Sequence, residues 1–96
     1  MDEDIEIIEI LKQKKGKISK ILAYNVFSFE AISVFKIMRL HDEKVGGRTI
    51  IREEEIGKAR LSKALTTTVG EIKIAKGEKA LFEALENGDR VRFIVN

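Results

Sequence analysis

The last residues of the chain, Gly70–Asn96, run GEIKIAKGEKALFEALENGDRVRFIVN and decide the fold. Within them, Glu71-Ile72-Lys73-Ile74 alternates polar and apolar side chains, as a half-buried strand does. Residues 78–86 are almost all good helix formers, with apolar side chains at helical spacing. Asn87-Gly88 is typical of a helix stop, and a run rich in strand formers follows. The sequence therefore predicts a strand–helix–strand unit.

The first half of the chain contains two segments that suit strands. Residues 5–11 and 18–27 are rich in isoleucine and other strand formers, and Lys14-Lys15-Gly16-Lys17 suits a turn between them. A further strand is predicted at Arg48–Arg52, directly after a Gly46-Gly47 turn.

Residues 29–43 are ambiguous between helix and strand. Phe29, Ile32, Phe35 and Met38 recur about every three residues, which favours a helix. The β-branched neighbours of these residues would also suit a strand. We predict a helix here and keep the strand as the alternative.

Composition limits the chemistry available to the protein. A chain of 96 residues forms one domain, residues 1–96. It contains no cysteine, which excludes disulfides, cysteine zinc sites and thiol nucleophiles, and His41 is its sole histidine. We therefore expect no metal and no cofactor, and we favour a binding protein over an enzyme. Charged residues make up 35% of the chain, mostly Lys, Glu and Arg, which is typical of thermophile proteins.

Charge and hydropathy predict a cytoplasmic protein. The net charge of +2 is too near balance to indicate nucleic acid on its own. No apolar run is long enough to cross a membrane, so we expect no membrane partner. The segment Met1–Asp4 is acidic where a signal peptide would be basic.

Two glycine-containing phrases recur at one interval, which suggests an internal duplication. Gly16-Lys17 and Gly57-Lys58 lie 41 residues apart (57 − 16), and so do Gly47 and Gly88 (88 − 47). Each half would be built as strand, turn, strand, helix, strand, and the two halves would close on one core. The predicted pseudo-repeats are residues 1–47 and 48–96.

The C-terminal unit resembles the core of the AbrB/MazE-type swapped-hairpin barrels. The shared pattern is a glycine with a short strand at Gly70–Ile74, a basic residue, a helix ending in leucine, then Gly88-Asp89-Arg90 and a closing strand. The same unit, fused twice in one chain, occurs in the cradle-loop barrels, which include the double-psi and RIFT types. The resemblance covers roughly the last 27 residues.

This resemblance implies a mostly β (α+β) fold: a small closed β-barrel of cradle-loop type with a short helix near 78–86. Among the single-unit relatives it implies DNA binding, and among RIFT-type barrels a nucleotide pocket. A winged helix is the alternative fold. Its three helices would be residues 4–14, 18–25 and 29–41, and its wing would begin at Gly46-Gly47.

The lysine-rich turn, residues Lys12–Lys20, is the candidate site. Lysines on a turn neutralise phosphates without reading sequence. If the chain is duplicated, a second basic patch is related to the first by pseudo-symmetry. The candidate nucleic-acid-binding residues are Lys12, Lys14, Lys15, Lys17, Lys20, Lys58, Arg60 and Lys63.

These features predict a small nucleic-acid-binding barrel that contacts DNA or RNA, with transcription regulation as a further expectation. The alternatives are a nucleotide-binding or protein-interaction barrel without catalysis, and a homodimer is a further expectation. Glu53-Glu54-Glu55 is interpreted as a solvated strand edge that discourages unwanted pairing. Thr66–Gly70 lacks the lysine and glycine spacing of a P-loop.

Overall fold

The computed structural model describes residues 5–24 and 34–95, which form one antiparallel sheet with one short helix. The sheet has six strands in the order β1-β2-β5-β4-β3-β6. In chain order the elements are β1 (Glu6–Lys14), β2 (Lys17–Tyr24), β3 (Val34–Val45), β4 (Arg48–Ala64), β5 (Val69–Lys76), α1 (Glu78–Glu86) and β6 (Arg90–Val95).

One face of the sheet, called the inner face here, is covered by α1 and forms the core. Alternate residues of each strand point to this face, because successive side chains of a strand point to opposite sides. Helix α1 contributes Leu81 and Ala84, both fully buried. The largest fully buried side chains are Phe35, Phe93, Ile18, Ile21, Ile37, Ile72 and Leu81.

The C-terminal strand–helix–strand unit is confirmed, with the helix at the predicted residues. Helix α1 spans Glu78–Glu86, and Asn87-Gly88 ends it, with the Gly88 N–H donating to the Leu85 carbonyl oxygen at 3.1 Å. The strands before and after the helix are also present, as is the turn at residues 15–16 between β1 and β2.

The predicted closed barrel is wrong, because the sheet is open. Strand β1 pairs with β2 and strand β6 with β3, so β1 and β6 are the two edges. A cavity of about 360 Å³ lies where the edges approach one another, lined by Ile5, Glu6, Ile7, Leu85, Arg90, Val91 and Arg92. The physical reason is that α1 already buries the inner face, so the apolar side chains are removed from water without closure of the sheet.

The helix predicted over residues 29–43 is also wrong over its described part. Residues 34–45 form β3, with Phe35 and Ile37 on the inner face and Lys36 on the opposite face. Residues 29–33 lie outside the described part of the chain. The winged-helix alternative fails for the same reason, since residues 6–14 and 17–24 are strands.

Strands β3 and β4 continue beyond their neighbours as a two-stranded arm. The pairing of β6 with β3 ends at Leu40, and the pairing of β5 with β4 begins at Lys58. Beyond these points the two strands pair only with each other among the described strands, as far as the Gly46-Gly47 tip. Both tip glycines have positive φ, as a type I′ hairpin turn requires.

The proposed duplication stays a prediction. Described residues 5–24 and 34–45 of the first half contribute β1, β2 and β3, whereas the second half contributes β4, β5, α1 and β6. In the order of elements, the position of α1 would fall between β2 and β3, at residues 25–33, which lie outside the described residues.

Candidate functional site

The outer face of the sheet, opposite α1, has no other element of the described chain packed over it. The side chains on this face alternate with buried ones along the strands. Lys73, for example, lies between Ile72 and Ile74, which are 0% and 3% exposed. The outer face is therefore a flat, solvent-exposed surface that a ligand could contact.

A row of four cations crosses this face on four neighbouring strands. Lys12 on β1 lies opposite Lys20 on β2, Lys20 lies opposite Lys73 on β5, and Lys73 lies opposite Arg60 on β4. Strands lie about 4.8 Å apart, so the row covers about 14 Å of the sheet.

A second row lies next to the first, toward the arm. Lys58 on β4 is paired on one side with Lys76 on β5 and on the other with Lys36 on β3. Along β4, Lys58 and Arg60 are two residues apart, a separation of about 6.6 Å. We call the two rows together the basic band: Lys12, Lys20, Lys73, Arg60, Lys76, Lys58 and Lys36.

No carboxylate is paired with the basic band within residues 5–24 and 34–95. The ion pairs there are Arg39–Asp89, Arg52–Glu43 and Arg92–Glu53, all outside the band. Five directly opposite pairs in the band are instead like-charged, and such pairs are destabilising. The sheet thus holds an unneutralised positive surface at a cost to its own stability.

The structure divides the predicted site residues into two groups. Lys12, Lys20, Lys58 and Arg60 lie in the basic band, so the two predicted patches form one surface bridged by Lys73. The other four predicted residues lie outside the band: Lys14, Lys15 and Lys17 at the turn between β1 and β2, and Lys63 opposite Glu71.

Three residues of the band were absent from the sequence-based set: Lys36, Lys73 and Lys76. A signal for two of them was present, because Phe35-Lys36-Ile37 and Ile72-Lys73-Ile74 each place a lysine between two apolar residues. In a strand, this pattern puts the lysine on the face opposite the core.

The Arg39–Asp89 ion pair links two parts of the sheet and lies outside the basic band. Arg39 on β3 donates from Nε to Asp89 Oδ2 at 2.7 Å, and its Nη2 lies 2.5 Å from the same oxygen. The two side chains are 25% and 21% exposed. The aspartate of the Gly88-Asp89-Arg90 motif thus ties the start of β6 to β3.

The described residues offer less support for a small-molecule pocket, a metal site or a membrane-spanning helix. A cavity of about 510 Å³ is lined by Lys17, Gly77, Glu78, Lys79, Ala80 and Glu83, and it combines cations with carboxylates. Within the described ranges, no group of three or more acidic or histidine side chains could hold a metal ion. The helix described here, α1, is too short to cross a membrane.

No family model matches this chain, and neither a curated protein nor a solved structure is significantly similar to it.

Proposed function

We propose that the protein binds nucleic acid through the basic band, by contacts to phosphates. The observation that carries this proposal is the unbroken row Lys12–Lys20–Lys73–Arg60 on the open face of the sheet. Phosphates of a polyanion would relieve the repulsion in the three like-charged pairs of this row, so binding gains more than it would from the same cations if they were dispersed.

Binding of this kind depends on charge and not on base sequence. Phosphate contacts position a protein on nucleic acid but carry no sequence information. The side chains of the band are lysines and one arginine, and lysine acts toward phosphate as a point charge. We therefore propose sequence-independent binding, and strong salt dependence follows from it.

Fluorescence anisotropy with labelled duplex and single-stranded DNA and RNA of equal length tests the proposal. If all seven cations contact phosphates, affinity for duplex DNA should fall by about three to four orders of magnitude between about 50 and 200 mM salt. Affinity that is undetectable at low salt for every nucleic acid would refute the function.

A matched pair of variants locates the surface. Lys73→Glu reverses a charge at the centre of the band, whereas Lys79→Glu makes the same change on exposed α1, across the sheet. We expect Lys73→Glu to weaken binding at least tenfold and to reduce the salt slope by about 1 or more, and Lys79→Glu to have a small effect. Equal losses in both variants would show that net charge alone governs binding.

A further inference from the structure

We infer that a second copy of the chain pairs with the free edge of β4 in the arm, which gives an antiparallel dimer with one continuous sheet. From Arg48 to Glu55, β4 is paired with β3 on one side and with no described strand on the other. Every second residue of such an edge points its backbone N–H and C=O outward, where they can pair with another strand.

Two apolar side chains in the middle of this edge favour pairing, and the acidic run Glu53-Glu54-Glu55 restricts it to a partner that neutralises those charges. Ile51 is 64% exposed, the highest value among the large apolar side chains of the described residues, and Ile50 is 41% exposed. A long exposed edge that carries β-branched apolar residues is a template for another strand.

The charges of the edge are self-complementary in the antiparallel direction. Its sequence is Arg48-Thr49-Ile50-Ile51-Arg52-Glu53-Glu54-Glu55, with both arginines before the three glutamates. A symmetric dimer makes the contact between residues i and j twice. Antiparallel self-pairing therefore brings the basic beginning of each copy next to the acidic end of the other.

One symmetric register satisfies these charges. If Ile51 faces the partner's Ile51, then Arg48 lies opposite the partner's Glu54, and Arg52 lies opposite the partner's Ile50. An axis at Ile50 would oppose Arg48 and Arg52, and an axis at Arg52 or Glu53 would oppose that residue to its own copy. Directly opposed like charges are destabilising, and an axis at Thr49 would place both arginines opposite uncharged residues, so the Ile51-centred register is selected.

In this register, the partner's hairpin tip would come to a cavity at the end of the edge. The partner's Gly46-Gly47 tip would lie near Glu55 and Ile56. A cavity of about 250 Å³ is present there, lined by Glu55, Ile56, Gly57, Lys58 and Lys76. The two tip glycines have no side chains that would oppose this approach.

The dimer would place both basic bands on one side. Strands related by a two-fold axis normal to the sheet keep their outer faces on the same side, so the bands would form one longer surface. Two linked sites bind a long polyanion more tightly than one. This consequence rests on the proposed function, whereas the dimer itself does not.

Charge-swapped variants test the dimer by sedimentation equilibrium. The wild-type chain should reach twice its monomer mass of 10.9 kDa as concentration rises. Arg48→Glu and Glu54→Arg should each weaken the dimer at least tenfold, because each places two like-charged pairs across the axis. An equimolar mixture of the two variants, and the double variant Arg48→Glu/Glu54→Arg, should each recover the dimer to within a few-fold.

The control is Lys44→Glu, an equal charge change on β3 of the arm, which should leave the mass unchanged. Circular dichroism of each variant monitors the fold, and recovery in the double variant excludes simple misfolding. A wild-type chain that stays monomeric at every concentration overturns the inference. A dimer that withstands both single reversals overturns it as well. Neither result bears on nucleic-acid binding by the monomer, which the anisotropy experiment measures separately.

Discussion

Gly57 of β4 and Gly77, the residue before α1, lie backbone against backbone. A Cβ atom on Gly57 would overlap the carbonyl oxygen of Lys76, and a Cβ atom on Gly77 would overlap that of Ile56. This contact holds the start of the helix against the strand at the point where the arm leaves the sheet. The two glycines are required by the space available to them, and Gly77 also has a φ of 88°.

Gly57→Ala should therefore destabilise the fold by about 1–3 kcal/mol, because the added methyl group must displace backbone atoms. Gly88→Ala is the control, since Gly88 has a φ of 75° but open space around its Cα. There the penalty is conformational only, about 1–2 kcal/mol. Urea unfolding of both variants measures the difference. A loss for Gly57→Ala smaller than the loss for Gly88→Ala would contradict the close approach.

Lys73→Glu should raise stability while it lowers nucleic-acid affinity. The substitution converts two repulsive cross-strand neighbours, Lys20 and Arg60, into attractive ones, and such pairs contribute about 0.2–1 kcal/mol each. A domain of this size should gain several degrees in Tm for about 1 kcal/mol. Differential scanning calorimetry at low salt measures the gain, which should shrink as salt screens the charges. An unchanged or lower Tm would show that the band does not strain the sheet.

Loss of the Arg39–Asp89 pair should destabilise the domain by about 1–3 kcal/mol, because the pair is only about a quarter exposed and Arg39 contacts the carboxylate through two nitrogens. Asp89→Ala tests this, and Glu43→Ala is the comparison. Glu43 pairs with Arg52, whose side chain is 60% exposed, so its loss should amount to less than about 1 kcal/mol. Chemical denaturation of both variants gives the two values, and equal losses would count against a structural role for Asp89.

Leu81 holds α1 on the sheet, and Leu81→Ala should cost about 2–5 kcal/mol. Leu65 lies outside the core and is 47% exposed, so Leu65→Ala should have a much smaller effect. The midpoint of thermal unfolding distinguishes the two substitutions. If they lowered it equally, α1 would contribute little to the core.

The C-terminal unit could be predicted because its signals are local. Helix formers, a glycine stop and alternation lie within a few residues of one another in Gly70–Asn96. The spacing of Phe35 and Met38 favours a helix in residues 34–45 only by coincidence, because these residues form a strand. In β3, Phe35 lies on the inner face and Met38 opposite Glu55 on the outer one.

The openness of the sheet and the full basic band required information that is not local. Closure depends on whether β1 and β6 pair, although they lie at opposite ends of the chain. The band depends on register: Lys20 and Lys73 lie opposite one another across 53 positions of sequence. A lysine-rich turn is visible in the sequence, whereas a row that crosses four strands is visible only once the strands are aligned.

Because α1 covers only one face of the sheet, the residues that stabilise the fold and the residues that can contact a partner lie on opposite faces. Side chains under the helix determine whether the chain folds, and those on the outer face determine which partners it can bind. Charged residues of the outer face can therefore be substituted one at a time, in evolution or in the laboratory, while the packing beneath the helix is left intact. A domain built this way can change its partners without finding a new core.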